Sequence, residues 1–258
     1  MAPTLETREG VSPIRLDTVV GELGASPNLC DQRKARDIQA LIQLSRGAWA
    51  GRFALLGALA NADRMLILVT QLIARGLVWS GRPQGHEQWT LALGMRHNYP
   101  LSLPAASFVQ VVPYNPHVAH SAFVPEERGL PPELQQYIRA LRMGQDGGCC
   151  FVRTAQWSPA VSHDLALAVW QVSRLLTGAH FFGEQGALNR HATSHYLALA
   201  EQGLLPLGPP LPPPRTPEAG AITRLQAGIA AEGGDDDIEW VAAEAPETAQ
   251  TPGTPGEP

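Results

Sequence analysis

Two histidines four residues apart, His191 and His195 in "RHATSH", have the spacing at which one helix face presents two imidazoles to a metal ion. No glutamate stands next to His191, so the zinc-protease pattern is missing, and the plainer reading is a pair of partly exposed helix histidines. His117 and His120, in "PHVAH", fall on a loop without regular geometry to aim them. Cys149 and Cys150 follow two glycines and offer soft thiolates for redox or metal chemistry. The plainer reading makes them buried apolar residues at the start of a strand. Ser162, His163 and Asp164 carry the types of a nucleophilic triad, but adjacent residues on a helix point in different directions, and no G-x-S-x-G elbow is present. "GQDGG" and "GEQG" lack the lysine of a phosphate loop. Arg33, Lys34 and Arg36, with Arg46 nearby, could contact phosphates; the alternative is the solvated face of a helix. These residues assign no catalytic group, no metal site and no cofactor, and His191 with His195 is a weak metal candidate.

A different kind of site stands near the end. "GGDDDIEWVAA" sets Ile238 and Trp240 beside Asp235, Asp236 and Asp237, which suits a short acidic docking peptide for a partner protein. It follows "LLPLGPPLPPPRTPEAG", whose prolines favour an extended polyproline spacer and exclude a helix. The residues beyond are poor in large apolar side chains, as in segments that do not fold alone.

The elements that must hold these groups read as follows. Residues 1–30 form an N-terminal arm or loop. "DQRKARDIQALIQLSRG" has helical apolar spacing and stops at Gly47. Residues 53–79 are apolar around most of a helical circumference and read as a long core helix, its charges being too many for a membrane span. "WTLALGM" and "SFVQVVPY" read as strands between Pro-rich connections. Helices are expected in "PELQQYIRALRMG", after Ser158-Pro159 with Trp170 in the core, and in the segment ending at Gly203, with a strand at "CCFVRT". The resulting fold is α+β: a mainly helical body over 31–205 with a few short strands, then a polyproline spacer and a disordered Pro/Ala/Gly-rich acidic tail over 206–258.

Composition supports one sizeable core, with 44% hydrophobic and 17% charged residues. From Leu205 onward nine acids outnumber Arg215 and Arg224, a net of −7, so the body carries +2 of the chain's −5. That balance argues against a strongly basic nucleic-acid binder. Three cysteines make no disulfide framework, and the early acid Glu6 does not suit a signal peptide. Both point to a reducing, intracellular setting without membrane contact.

"FVQVVPYNPHVAHSAFVPEERGLPPE", "GGCCFVRTAQWSP" and the acidic end resemble the C-terminal portion of the coat protein of a victorivirus or totivirus-like fungal double-stranded RNA virus, over about residues 31–258. The resemblance implies a structural, non-enzymatic subunit that self-assembles into a shell around the genome, in the virion and host cytoplasm. Its implied partners are further copies of itself, a viral polymerase and RNA. Such coat proteins are considerably longer, which leaves a fragment, a truncated reading frame or a different protein of similar texture. The competing expectation is an intracellular binding or regulatory module of the mobile-element type, recruiting a partner through its acidic tail.

Overall fold

A computed structural model describes residues 12–60, 65–120, 147–151, 157, 163–180 and 187–214. The chain order is β1 (Ser12–Ile14), α1 (Leu16–Ala25), α2 (Leu29–Arg46), β2 (Phe53–Ala60), β3 (Leu66–Trp79), β4 (Pro83–Met95), β5 (Ala105–Val109), β6 (Gly148–Cys149), α3 (Leu165–Thr177) and α4 (Arg190–Glu201). The strands form one six-stranded sheet in sequence order, antiparallel throughout. Helices α2 and α3 pack on it, α2 against β2 and α3 against β3, and touch each other.

The sheet overturns the expectation of a mainly helical body. Residues 53–79, expected as one core helix, are strands β2 and β3, joined antiparallel with Phe53 opposite Leu72 and Ala60 opposite Leu66. A strand with apolar residues on both faces shows the same unbroken apolar run as a buried helix, and periodicity cannot separate them. Along β3 and β4, Leu68, Leu72, Trp89, Leu91, Leu93 and Met95 are buried and face Ile38, Leu41, Val169 and Val172 of the helices. Two polar groups in this core are satisfied by the sheet itself. Thr70 Oγ1 donates to the Leu91 carbonyl at 3.0 Å and the Trp89 indole to the Ala74 carbonyl at 2.7 Å.

The expected N-terminal arm over 1–30 contains β1, α1 and the start of α2. Helix α2 opens at Asn28, whose side chain accepts from Cys30 N at 2.8 Å, and closes at Gly47 as expected. Helix α3 opens later than Pro159, at Asp164, whose carboxylate accepts from Leu167 N at 2.8 Å; it closes at Gly178. Gly178 has φ +71°, and a Cβ there would come 2.8 Å from a Leu205 methyl, so both conformation and space demand glycine. Trp170 is half-buried at the edge of the core rather than within it, with the Arg174 guanidinium 4.8 Å over its ring. Of "CCFVRT", only Cys149 pairs in β6; residues 152–156, and the helix expected over 131–144, lie outside the described residues.

The body does not end near 205. Residues 206–214, expected as the start of a free spacer, form a strap across it, and the compact unit runs through Pro214. Leu207 N donates to the Thr177 carbonyl at 2.7 Å and Leu211 N to Ser173 Oγ at 3.1 Å. Leu211 is buried in the core. Trp49 Nε1 donates to the Pro212 carbonyl at 2.8 Å, and the Arg52 guanidinium spans the Pro209 and Pro210 carbonyls at 2.6 and 3.1 Å. Prolines leave their carbonyls unused by any ladder, and Trp49 and Arg52 take them up.

Candidate functional site

The loop 111–120 gathers the pairs that the sequence singled out separately. Tyr114 N donates to the Leu77 carbonyl at 2.7 Å, tying the loop to the end of β3. Asn115 folds into a local turn, its Oδ1 accepting from His117 N at 2.9 Å, while its amide donates to the Leu175 carbonyl at 2.9 Å at the end of α3. Asn189 N, at the start of α4, donates to the Pro116 carbonyl at 3.0 Å. On the other side Cys150 N donates to the His117 carbonyl at 2.9 Å, and Val118 bridges to Cys149. Gly147, with φ +100°, lies so close to β5 that a Cβ would sit 2.4 Å from the Phe108 carbonyl oxygen.

His191 and His195 share one face of α4 above Tyr114. The Tyr114 hydroxyl donates to the His191 carbonyl at 3.0 Å and lies 2.7 Å from its Nδ1. The Trp79 ring meets His191 edge-on at 5.1 Å, and the His195 ring lies 5.9 Å from Tyr114. Burial pushes the Tyr114 hydroxyl up to about 12, so it stays a hydrogen-bond donor. Burial, then the neighbouring His191, lowers His195. Among the described residues no group of three His, Cys, Asp or Glu side chains is arranged to hold a metal ion. The Cys149 thiol is driven well above its ordinary range by burial and then by Cys150, which keeps it protonated rather than an attacking thiolate.

His117 and His180 are both held near 4. Burial is the main cause in each, followed by His180 for His117 and by Arg174 for His180. In the unfolded chain each takes a proton near 6.5, so their contribution is intact above that value and is lost as pH falls toward 4. The urea-unfolding free energy should therefore drop between pH 7 and pH 4.5, with His117 alone worth on the order of 3 kcal/mol at the acid end. His117→Gln should flatten that slope; an unchanged slope would mean that another group carries the acid sensitivity. Asp37 works in the opposite sense, since burial raises its carboxyl and its contribution is lost as pH rises.

The candidate phosphate contacts are differently placed. Arg33 and Lys34 are buried. Arg33 Nε donates to Asp37 Oδ1 and its Nη2 to the His163 carbonyl, both at 2.9 Å. Lys34 Nζ donates to Asp31 Oδ1 at 3.0 Å. The Tyr99 hydroxyl donates to the second Asp37 oxygen, and burial, then Asp37, raises that phenol. These charges lock α2 to the β4–β5 connection and to the start of α3. Arg36 and Arg46 point to solvent. Asp164 of the apparent triad is the α3 cap, and His163 stacks on Trp157 at 5.3 Å; Ser162 lies outside the described residues. So do Asp235, Asp236, Asp237, Ile238 and Trp240.

Two apolar surfaces were missed by the sequence reading. A cleft of about 1070 Å³ opens between α1, α2 and β2, with Val20, Ile42 and Leu55 in its wall and Arg15 and Arg46 at its rim. Leu56 stands at its lip, 46% exposed, where β2 slips register against β3. The second is the sheet face turned away from the core. The register places Ala54, Gly57 and Leu59 of β2 beside Gln71, Val69 and Ile67 of β3, and these beside Thr90, Ala92 and Gly94 of β4. Val109, Ser107 and Ala105 of β5 complete the rows. No position in them is charged; the first charges along β3 and β4 are Arg75 and Glu87. Most of these side chains are half-buried, Val69 and Gly94 are buried, and Ile73, which stands opposite Arg52, is exposed. Antiparallel sheets with one solvated face usually alternate apolar-in with polar-out. Period-two strands with both faces apolar would have been the signal for it.

Comparison with protein-family models, curated proteins and solved structures gives no match to this chain.

Proposed function

We propose that the chain is a structural, non-enzymatic protein that acts by self-association, a shell subunit of the kind its resemblance to double-stranded RNA virus coat proteins implies. The observation that carries this reading is the uncharged outer face of the sheet across β2 to β5. An apolar sheet face of that extent gains by being covered, and protein is the cover that an apolar surface selects. The chemistry of the loop 111–120 fits the same reading: buried histidines held neutral, a protonated thiol and a hydrogen-bonded tyrosine brace the fold. Arg33 and Lys34 take no part in RNA contact under this proposal, because their charges are neutralised within the chain.

Sedimentation velocity of the purified chain, followed at 260 and 280 nm, tests it. Fast boundaries support a shell, with strong 260 nm absorbance if genome is enclosed and without it if particles are empty. A discrete small oligomer points to the binding-module alternative, and a monomer at every concentration overturns self-association.

A further inference from the structure

We infer that the strap is itself a docking site: the ridge formed by Pro209-Pro210 and Pro212-Pro213 is presented outward to a proline-recognition domain of the SH3 type on a partner protein. This rests on the strap alone and is independent of the self-association reading.

The sequence sets the backbone first. Proline fixes φ near −65°, and a residue that precedes proline is held to extended values of ψ. In "GPPLPPPR", from Gly208 to Arg215, both restrictions fall on Pro209, Pro212 and Pro213, and the second falls on Leu211. Those are the dihedral angles of a polyproline II helix, which has three residues per turn and rises about 3.1 Å per residue. The chain bends at 206–208 and again at 214, and runs without a bend across 209–213.

A helix with three residues per turn is a triangular prism, and residues three apart share an edge. Burial along the strap follows that period. Leu211 is buried in the core, and Gly208 and Pro214, on the same edge, are half-buried. A Cβ on Gly208 would come 3.1 Å from the Arg75 Cβ, so this edge lies against the body. Pro209 and Pro212, on the second edge, are exposed; on the third, Pro213 is exposed and Pro210 half-buried.

The body therefore grips one edge and leaves the other two outward. A groove laid against a prism also touches two edges, and it meets them as adjacent pairs three residues apart, here Pro209-Pro210 and Pro212-Pro213. Aromatic-lined grooves that bind P-x-x-P segments take pairs of this kind. The edge that such a groove leaves untouched is the one that Leu211 buries, so body and partner can hold the strap at once. In sequence Arg215 falls three residues after Pro212, and a cation at that place matches an aromatic groove with a carboxylate at its end, which is the SH3 form. The anchoring also favours affinity. Trp49 and Arg52 already fix the carbonyls of Pro209, Pro210 and Pro212, and a segment held in its bound conformation loses less entropy when a partner docks.

The test is isothermal titration calorimetry of the full chain with isolated SH3 domains that select P-x-x-P-x-R ligands, beside a synthetic peptide of residues 207–217. At least one domain should bind the chain as tightly as the peptide, to within about threefold. Pro213→Ala, at an exposed position, should weaken binding to the chain about tenfold or more with the melting temperature unchanged. Pro214→Ala, on the edge that faces the body, should change it less than about twofold. A chain that binds more weakly than the peptide by more than that threefold margin would mean that the strap must leave the body to be read, which overturns its presentation in place. Binding to none of the domains, or an equal loss in Pro214→Ala, overturns the docking site itself.

Discussion

A chain ended at Leu205 is expected to melt roughly 10–20 °C below one ended at Pro214, a difference of about 5 kcal/mol. The two differ only by the strap 206–214, so the comparison isolates its contacts. Removing it strips cover from the core around Leu211, and emptying a buried leucine site costs about 2–5 kcal/mol. It also leaves the Trp49 indole N–H without the Pro212 carbonyl, and a buried donor without its acceptor costs about 1–3 kcal/mol more. Arg52 loses two carbonyls but stands nearer solvent, where water replaces them at little cost. Differential scanning calorimetry of the two chains reads the result directly, and Leu211→Ala in the full chain should account for about half of it. Melting temperatures within two or three degrees would mean that the strap contributes nothing to the fold.

Replacing Arg33 by alanine is expected to destabilise the fold by about 3–5 kcal/mol near neutral pH, because it leaves Asp37 as a buried carboxylate without its counter-ion. The His163 carbonyl loses its donor at the same time. The sign of the pH dependence separates this cause from lost packing. Burial already raises the Asp37 carboxyl, and without the guanidinium it rises further. Its neutral form is then reached sooner as pH falls. The penalty of Arg33→Ala should therefore shrink between pH 7 and pH 5, whereas a packing loss would stay constant. An Arg33→Met, Asp37→Leu double variant should recover most of the stability, since it removes both charges together. Urea denaturation of the three proteins at two pH values decides between these outcomes, and a loss under 1 kcal/mol would show the pair to be solvated.

Helix α2 was legible from the apolar spacing of Ile38 and Leu41 and the stop at Gly47, while its start at the Asn28 cap fell inside the segment expected as an arm. Strands β4 and β5 were legible in part from short runs bounded by Gly and Pro, although β4 begins at Pro83 rather than Trp89 and β5 ends at Val109 rather than Tyr114; α4 was legible from its stop near Gly203. The stretch 53–79 was not, because both faces of β2 and β3 carry apolar side chains and only a partner strand distinguishes that from a core helix. Arg33 and Lys34 read as solvated or phosphate-binding because their charges were judged alone. Arg33 and Asp37 stand eight and four positions from Leu41, on the stripe that Leu41 buries, and that spacing placed them inside. The strap hid behind its prolines, which exclude a helix but do not decide whether a segment lies free or is held. The holding groups, Trp49 and Arg52, stand far back along the chain. His117, Cys149 and His191 were noticed as pairs, but their convergence on one loop depends on Asn115 and Gly147, which carry no chemical signature.

The strap also imposes an order on synthesis. In the meander each strand pairs with its sequence neighbour, so the sheet can assemble hairpin by hairpin as the chain emerges from the ribosome. Trp49 must wait 163 residues for its acceptor, and Leu211 reaches the core from the same late stretch. The nascent protein therefore carries a nearly complete sheet with an unsealed core until Pro214 has emerged.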